Sequence, residues 1–316
     1  MTYSIKIGIS TCLLGEKVRY DGGHKHNPYI TQTLGRFFEW VPVCPESECG
    51  LGIPREAMYL VGEADHPRLV TRKTGIDHTG QMLSWAAERL DTLAREDLDG
   101  FIFKKDSPSS GLYRVKIVND KGRPVKSGRG LFAAAFTARF PRIPVEEEGR
   151  LNDPILRENF IERVFGLKRW RDVLRKKKSV GNLVDFHTRE KLLLMAHSPK
   201  YYREMGRLVA EGKKLEGPDL YNRYESLLIE ALDRKATASK HTNVLMHILG
   251  YFKKQLASDE KQEVLELIGH YRSGHLPLIV PVTLLNHFVR KYHPPYLSGQ
   301  TYLNPHPLDL QLRNHV

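Results

Sequence analysis

Short apolar, partly β-branched runs alternate with segments of helical period through the first half of the chain, and that alternation admits few folds. Ile5-Lys6-Ile7-Gly8-Ile9-Ser10, Trp40-Val41-Pro42-Val43-Cys44 and Gly100-Phe101-Ile102-Phe103-Lys104 read as buried strands. Residues 70–72 and 115–118 are shorter candidates. Residues 79–97 carry Met82, Trp85, Ala86, Leu90 and Leu93 at helical spacing, and 29–38 and 130–139 are further expected helices. The pattern predicts an α/β domain with a parallel or mixed, Rossmann-like sheet covered by helices. In such sheets ligands bind beyond the carboxyl ends of the strands. Cys12, Cys44 and Ser107 each follow an apolar run, so they are expected on one rim. Cys49 lies five residues past Cys44 on a stretch kept irregular by Pro45, Gly50, Gly52 and Pro54, close enough to fold back.

Three cysteines in 316 residues are few and odd in number, which argues against a secreted disulfide framework. No apolar run approaches the ~20 residues needed to span a bilayer. The N-terminus runs directly into a strand-like segment, so no signal peptide is expected. A cytoplasmic protein with no membrane role is expected. The three thiols have several readings. They are unrelated buried cysteines, or a zinc site with His24 or His26 as fourth ligand, or the holders of an iron–sulfur cluster with one iron lacking a cysteine. An iron with an open position is a Lewis acid for a soft sulfur atom.

Four motifs then carry a resemblance. Ser10-Thr11-Cys12-Leu13-Leu14-Gly15, Val18-Arg19-Tyr20-Asp21-Gly22-Gly23, Val41-Pro42-Val43-Cys44-Pro45-Glu46 and Lys104-Lys105-Asp106-Ser107-Pro108-Ser109-Ser110-Gly111 resemble, in order and spacing, the 2-thiouracil desulfurase (TudS) family. The resemblance implies a [4Fe-4S] cluster held by three cysteines, with one iron open for a substrate's sulfur. It also implies hydrolytic, non-redox removal of that sulfur from a thiolated pyrimidine. Cys12 and Cys44 match two ligands, and Glu46 the acidic residue after the second. Ser107 matches the first serine of a Ser-Pro-Ser-Cys motif. The third ligand position is Ser110 here, so Cys49 is taken as the replacement thiol; a degraded cluster site and a serine-oxygen ligand are the alternatives. Glu46 is expected as general acid or base and Ser107 as a proton relay. Arg19, Asp21, Ser109 and Ser110 are expected to shape the substrate pocket. The bland readings are a solvated loop carboxylate for Glu46 and a turn or cap residue for Ser107.

A composition shift at Pro141–Gly149 places the domain boundary, with residues 1–148 as the desulfidase-like domain and 149–316 as an all-α domain. Asp153 followed by Pro154 is a helix start. Further helices are expected at 184–196, 199–211, 217–233, 238–255, 258–272 and 278–292. This half is basic: 27 of the 49 Lys and Arg but only 18 of the 37 Asp and Glu follow residue 150. A polyanion partner, nucleic acid first, is expected ahead of a merely solvated basic surface. Lys168, Arg169 and Arg171 with Arg175, Lys176, Lys177 and Lys178 are the candidate phosphate contacts. Trp170, Tyr201, Tyr202 and Tyr251 are the nearby aromatics for stacking. His241 and His247 on one helix are read as packed residues rather than a metal pair. Asn152-Asp153-Pro154, Arg157-Glu158-Asn159-Phe160 and Lys240-His241-Thr242-Asn243-Val244-Leu245-Met246-His247 resemble the YbgA family of helical domains. Fused behind a TudS-like domain, such a region is similar to RudS-type desulfidases of tRNA 4-thiouridine. That resemblance implies tRNA as partner, with no DNA expected. The alternatives are a desulfidase of free 2-thiouracil or thionucleosides, and a non-enzymatic RNA-binding or redox-sensing protein.

Overall fold

Ile5, Ile7, Gly8, Ile9 and Ser10 of strand β1 (Ile5–Ser10) are all buried, as a continuous apolar run in a parallel sheet requires. The computed structural model describes residues 5–119, 121–215 and 217–315. β1 lies inside a four-stranded sheet of order β2-β1-β5-β8, formed with β2 (Phe38–Val43), β5 (Gly100–Phe103) and β8 (Val145–Glu147). Every pairing in it is parallel. Gly8 stands opposite Phe101, and a Cβ there would come within 2.2 Å of the Phe101 ring. The missing side chain is what seats that ring. Phe101 then packs with Phe103, Phe132 and Phe136, alongside Ala86, Leu90 and Leu93.

The short helix α1 (Pro45–Glu48) follows β2, and α2 (Thr79–Arg95) covers the sheet through Ala86, Leu90 and Leu93. The helix α3 (Leu131–Arg139) begins at Gly130. The stretch expected as a helix at 29–38 is instead a single wide turn, Tyr29–Thr33, a tighter turn, Leu34–Arg36, and the first residue of β2.

A second sheet was not expected. β3 (Met58–Val61), β4 (Arg68–Thr71), β6 (Val115–Val118) and β7 (Pro124–Gly128) form it in the order β4-β3-β6-β7. Only β3 and β6 run parallel. Its core joins Leu60, Leu69, Val115 and Ile117 to Met82 of α2 and Leu131 of α3.

The chain divides into two compact units between Asp153 and Pro154. The second is helical: α4 (Pro154–Leu174), α5 (Val180–His197), α6 (Pro199–Ala210), α7 (Gly217–Asp233), α8 (Ala238–Tyr251), α9 (Ser258–Arg272), α10 (Ile279–Tyr292) and α11 (Pro295–Ser298). Ser179, Ser198 and Thr237 cap α5, α6 and α8 by accepting from an amide of the first turn. Two apolar cores result, one around Trp170, Tyr221 and Tyr224, the other around Leu245, Phe252 and Phe288. Among the described residues no helix is long and apolar enough to cross a membrane.

Gly130 sets the α3 N-terminus directly on the loop that follows β5. A Cβ at Gly130 would meet the Ser109 carbonyl carbon at 2.4 Å and the Ser110 nitrogen at 2.6 Å. Gly130→Ala should therefore destabilise the protein by roughly 1–3 kcal/mol, read as a lowered chemical-denaturation midpoint at unchanged m-value.

Candidate active site

Parallel register brings three loops to one edge. Ser10 of β1 is level with Val43 of β2, and Ile9 with Ile102 of β5. Cys12 and Cys44 thus emerge side by side, and the Lys104 amide donates to the Ser10 hydroxyl at 2.9 Å. A pocket of about 290 Å³ opens over this edge, lined by Cys12, Cys44, Glu46, Arg55 and the Lys104–Ser110 loop.

The Lys104–Ser110 loop is held from three sides. The Glu147 carboxylate of β8 accepts from the Leu112 and Tyr113 amides at 2.8 and 3.0 Å. Glu148 pairs with Lys104 and accepts from the Lys105 amide at 2.6 Å. The first amides of α3 donate back into the loop, Leu131 to the Pro108 carbonyl and Phe132 and Ala133 to that of Ser109. Helix-terminus donors are thereby consumed in fixing the serines.

Those serines form a directed chain. The Ser109 hydroxyl donates to Glu46 Oε1 at 2.8 Å, and Ser107 and Ser109 hydroxyls are 3.0 Å apart. A hydroxyl has one proton, so Ser107 donates to Ser109 and Ser109 to Glu46. The other Glu46 oxygen accepts from Arg55 Nε at 3.0 Å and from its Nη2. Arg55 is anchored by the Val18 and Gly52 carbonyls, so the carboxylate is clamped from both ends. Arg55 did not stand out in the sequence; it lies nine residues past Glu46 in a Gly/Pro-rich loop, and only folding brings them together.

The thiols divide unevenly. Cys12 and Cys44 line the pocket. Burial pushes the Cys12 thiol up to about 11, opposed by Lys104 and reinforced by Cys44. Burial raises Cys44 too. Cys49 is not among the lining residues. Its thiol donates to the Glu46 carbonyl at 3.4 Å and packs with Leu60, Leu69 and Met82 under the second sheet. Burial is also the main cause raising its pKa. The expectation that Cys49 folds back to the rim is not met in this arrangement. α1 intervenes, and five residues of helix turn a side chain by roughly 140° relative to its starting direction. Ser110 lines the pocket instead.

Of the other expected pocket residues, Ser109 and Arg19 line it and Asp21 does not. Asp21 accepts from the Gly23 amide and from Arg19, closing the turn that carries Arg19. His24 and His26 are exposed; the His24 ring accepts from the His26 amide, and the His26 ring bonds Thr31. Neither lines the pocket, and among the described residues no three His, Cys, Asp or Glu side chains are grouped to hold a metal ion. Five lining cations, Arg19, Lys25, Arg55, Lys104 and Lys105, face two carboxylates, Glu46 and Asp106. Two thiols in a cationic pocket fit an anionic, thiolate-bound iron–sulfur group at two corners.

The basic stretch of α4 is only partly a surface. Lys168 is buried, and Arg169 is tied to Glu190 at 2.8 Å and to the Pro305 carbonyl at 3.0 Å. Trp170 and Tyr201 are core residues. These corrections follow from helix periodicity, which turns 168 and 170 inward with Val164 and Leu167. Arg171 is half-buried, while Arg175, Lys176, Lys177 and Lys178 are exposed; Arg175 pairs with Asp172. Tyr202 is half-buried, whereas Tyr251 is exposed and stacks on Tyr296. His241 is buried and His247 exposed, so they do not converge on a metal.

Residues 7–148 match the model of a family described as 2-thiouracil desulfurase. Residues 191–307 match one described as a protein of unknown function, DUF1722. The uncharacterized protein YbgA of Escherichia coli strain K12 is 38% identical over 135 residues, covering 42% of this chain and 80% of that protein. Among solved structures, the [4Fe-4S]-dependent thiouracil desulfidase TudS is 31% identical, over 48% of this chain and 95% of its own, with a TM-score of 0.38. The chain belongs to the family of YbgA, with a domain of the 2-thiouracil desulfurase type fused in front of the helical region.

Proposed function

We propose that the protein is a desulfidase that converts a 4-thiouridine of tRNA to uridine by hydrolysis, releasing hydrosulfide. The observation that carries the reading is the pocket itself, where the Cys12 and Cys44 thiols face a hydrogen-bonded chain running Ser107, Ser109, Glu46, Arg55. Cys12 and Cys44 would hold a [4Fe-4S] cluster, the group on which the thiouracil desulfidase TudS depends. A bound cluster supplies a Lewis-acidic iron for the thiocarbonyl sulfur. The third donor we assign to Cys49 on chemical grounds, since a thiolate is a softer ligand for iron than the Ser110 hydroxyl.

The protein's own groups then account for the protons. A water oxygen adds to the ring carbon that bears sulfur, and the Glu46 carboxylate takes a proton from that water. The carbon–sulfur bond breaks, the sulfur departs with the bonding pair, and the second water proton leaves from the new oxygen as the carbonyl forms. One proton goes to the sulfur to give hydrosulfide and one to solvent, so no oxidant or reductant is needed. Ser109 and Ser107 offer a path by which that proton leaves Glu46, once their hydroxyls, which donate toward it in the resting chain, turn to accept. Arg55 fixes the direction of the carboxylate. The exposed segment Arg175–Lys178 is the proposed phosphate contact for tRNA.

Glu46→Gln keeps the size of the side chain but removes the base. Turnover on thiolated tRNA should fall roughly 10²–10⁴-fold while iron content stays at the wild-type level; full activity would remove Glu46 from the chemistry. For the third donor, anaerobically prepared Cys49→Ser should lose most of its iron and acid-labile sulfide, whereas Ser110→Ala should retain both. The opposite pattern would give the position to Ser110. Replacing Lys176, Lys177 and Lys178 together by alanine should weaken tRNA binding and flatten its salt dependence, leaving activity on a free 4-thionucleoside unchanged. Equal losses on both substrates would refute the tRNA contact.

A further inference from the structure

A second cavity, of about 430 Å³, lies wholly within the helical unit. Two of the three stretches that carry the resemblance to YbgA meet at it: Glu158 and Asn159 of α4 and His241 of α8. Two of its lining carboxylates, Glu158 and Glu162, meet Arg313, which is 2% exposed. Arg313 Nη2 donates to Glu162 at 2.8 Å and Nη1 to the Tyr302 carbonyl at 2.7 Å. Glu162 also meets His197 Nε2 at 2.9 Å, while His197 Nδ1 faces the Arg234 carbonyl at 2.6 Å. Glu162 and His197 are therefore fully engaged.

Glu158 and His241 are not. Glu158 Oε2 accepts from the Arg313 amide at 3.1 Å and lies 3.7 Å from His315 Nδ1. Oε1 is 3.6 Å from Arg313 Nε, beyond hydrogen-bond range. Burial, and then the Glu162 charge, raise the Glu158 pKa to about 7. His241 is 5% exposed and spends Nδ1 on the Tyr302 hydroxyl at 3.0 Å. The hydrogen bond found for its ring is at Nδ1, and the residue lines the cavity. Burial holds that ring neutral by pushing its pKa down to about 3. A carboxylate and an imidazole thus line the cavity with hydrogen-bonding capacity left for whatever occupies it.

The mouth has the opposite character. Lys235 and Arg272 are exposed, line it, and have no carboxylate partner among the described residues. Thr237 and Ala238 add the N-terminus of α8, which favours an anion. Tyr271 and Leu278 supply the walls. An anion-seeking rim, an aromatic wall and a floor that offers a carboxylate and an imidazole edge fit one kind of molecule. We propose that this cavity binds a nucleoside monophosphate, free or at the 5′ end of an RNA strand. The phosphate sits at Lys235, Arg272 and the α8 terminus, the heterocycle lies along Tyr271, and its polar edge meets Glu158 and His241.

The full-length protein titrated calorimetrically with each of the four common ribonucleoside 5′-monophosphates tests this. At least one should bind saturably with one site per chain. Lys235→Ala and Arg272→Ala, both surface changes that leave the fold intact, should each weaken it about tenfold or more, the loss of one charge-assisted contact. Glu46→Gln, in the other pocket, should leave it unchanged. Inorganic phosphate should bind far more weakly than the nucleotide. A 5′-phosphorylated oligoribonucleotide that competes for the site marks a strand end as ligand; one that does not marks the free nucleotide. No saturable binding at millimolar concentration, binding indifferent to both cation substitutions, or binding lost in Glu46→Gln would each overturn the proposal.

Discussion

The candidate active site depends on one constraint, the parallel register of β1 with β2 on one side and β5 on the other. Strand side chains alternate with period two, so a slip of one residue would turn each inward side chain outward. Gly8 helps exclude that slip, because only a residue without a side chain accommodates Phe101 opposite it. With register fixed, the residues following β1, β2 and β5 have no choice of edge. Cys12, Cys44 and the Ser107–Ser110 loop reach one pocket by backbone geometry alone. The loop's last freedom is removed by Gly130 and the α3 amides.

The two units solve the problem of buried polar groups differently. In the first, Glu46 is satisfied by Arg55 and Ser109, and the chain of donors ends at Ser107 beside the pocket. That is a polar network with an exit toward a ligand. In the second, Arg313 satisfies Glu162 and the Tyr302 carbonyl within a closed core, while Glu158 and His241 at its edge line a cavity. A half-satisfied buried network is normally worse than an apolar one. That these two groups lie on a cavity wall is the physical reason to read the edge as a binding surface.

Much of this was legible in the sequence, for reasons that can be named. β1, β2 and β5 are continuous apolar runs, and α2 has a clear helical period. The second sheet was not legible. Two of its strands, at 70–72 and 115–118, read as short candidates, but nothing joins them into a sheet, and the first four residues of β7 are exposed, so no apolar alternation marks that strand. Their partners are also distant in sequence, as with Leu60 opposite Ile117. The helical unit was readable as helices within a few residues at most ends, but its charge clusters were not. Lys168 and Arg169 look like a solvated patch until α4 is wound and Glu190 is brought alongside.

Cys49 shows where sequence spacing stops being geometry. Five residues along an irregular loop would leave the direction of a thiol open, whereas the same five across a helical turn fix it. Pro45 at the first helical position and the Glu48 carboxylate accepting from the Cys44 amide at 2.7 Å wind that turn. Arg89 then holds the other Glu48 oxygen at 3.0 Å. A thiol outside the pocket lining and a serine within it mean that donor strength and placement are assigned to different residues. Any metal group in this pocket has to take either the softer donor at a cost in side-chain rearrangement or the harder donor already in place. Cys49 Sγ makes one weak contact to a carbonyl and packs in the core with Leu60, Leu69 and Met82, so taking the softer donor means drawing a buried side chain out of that core.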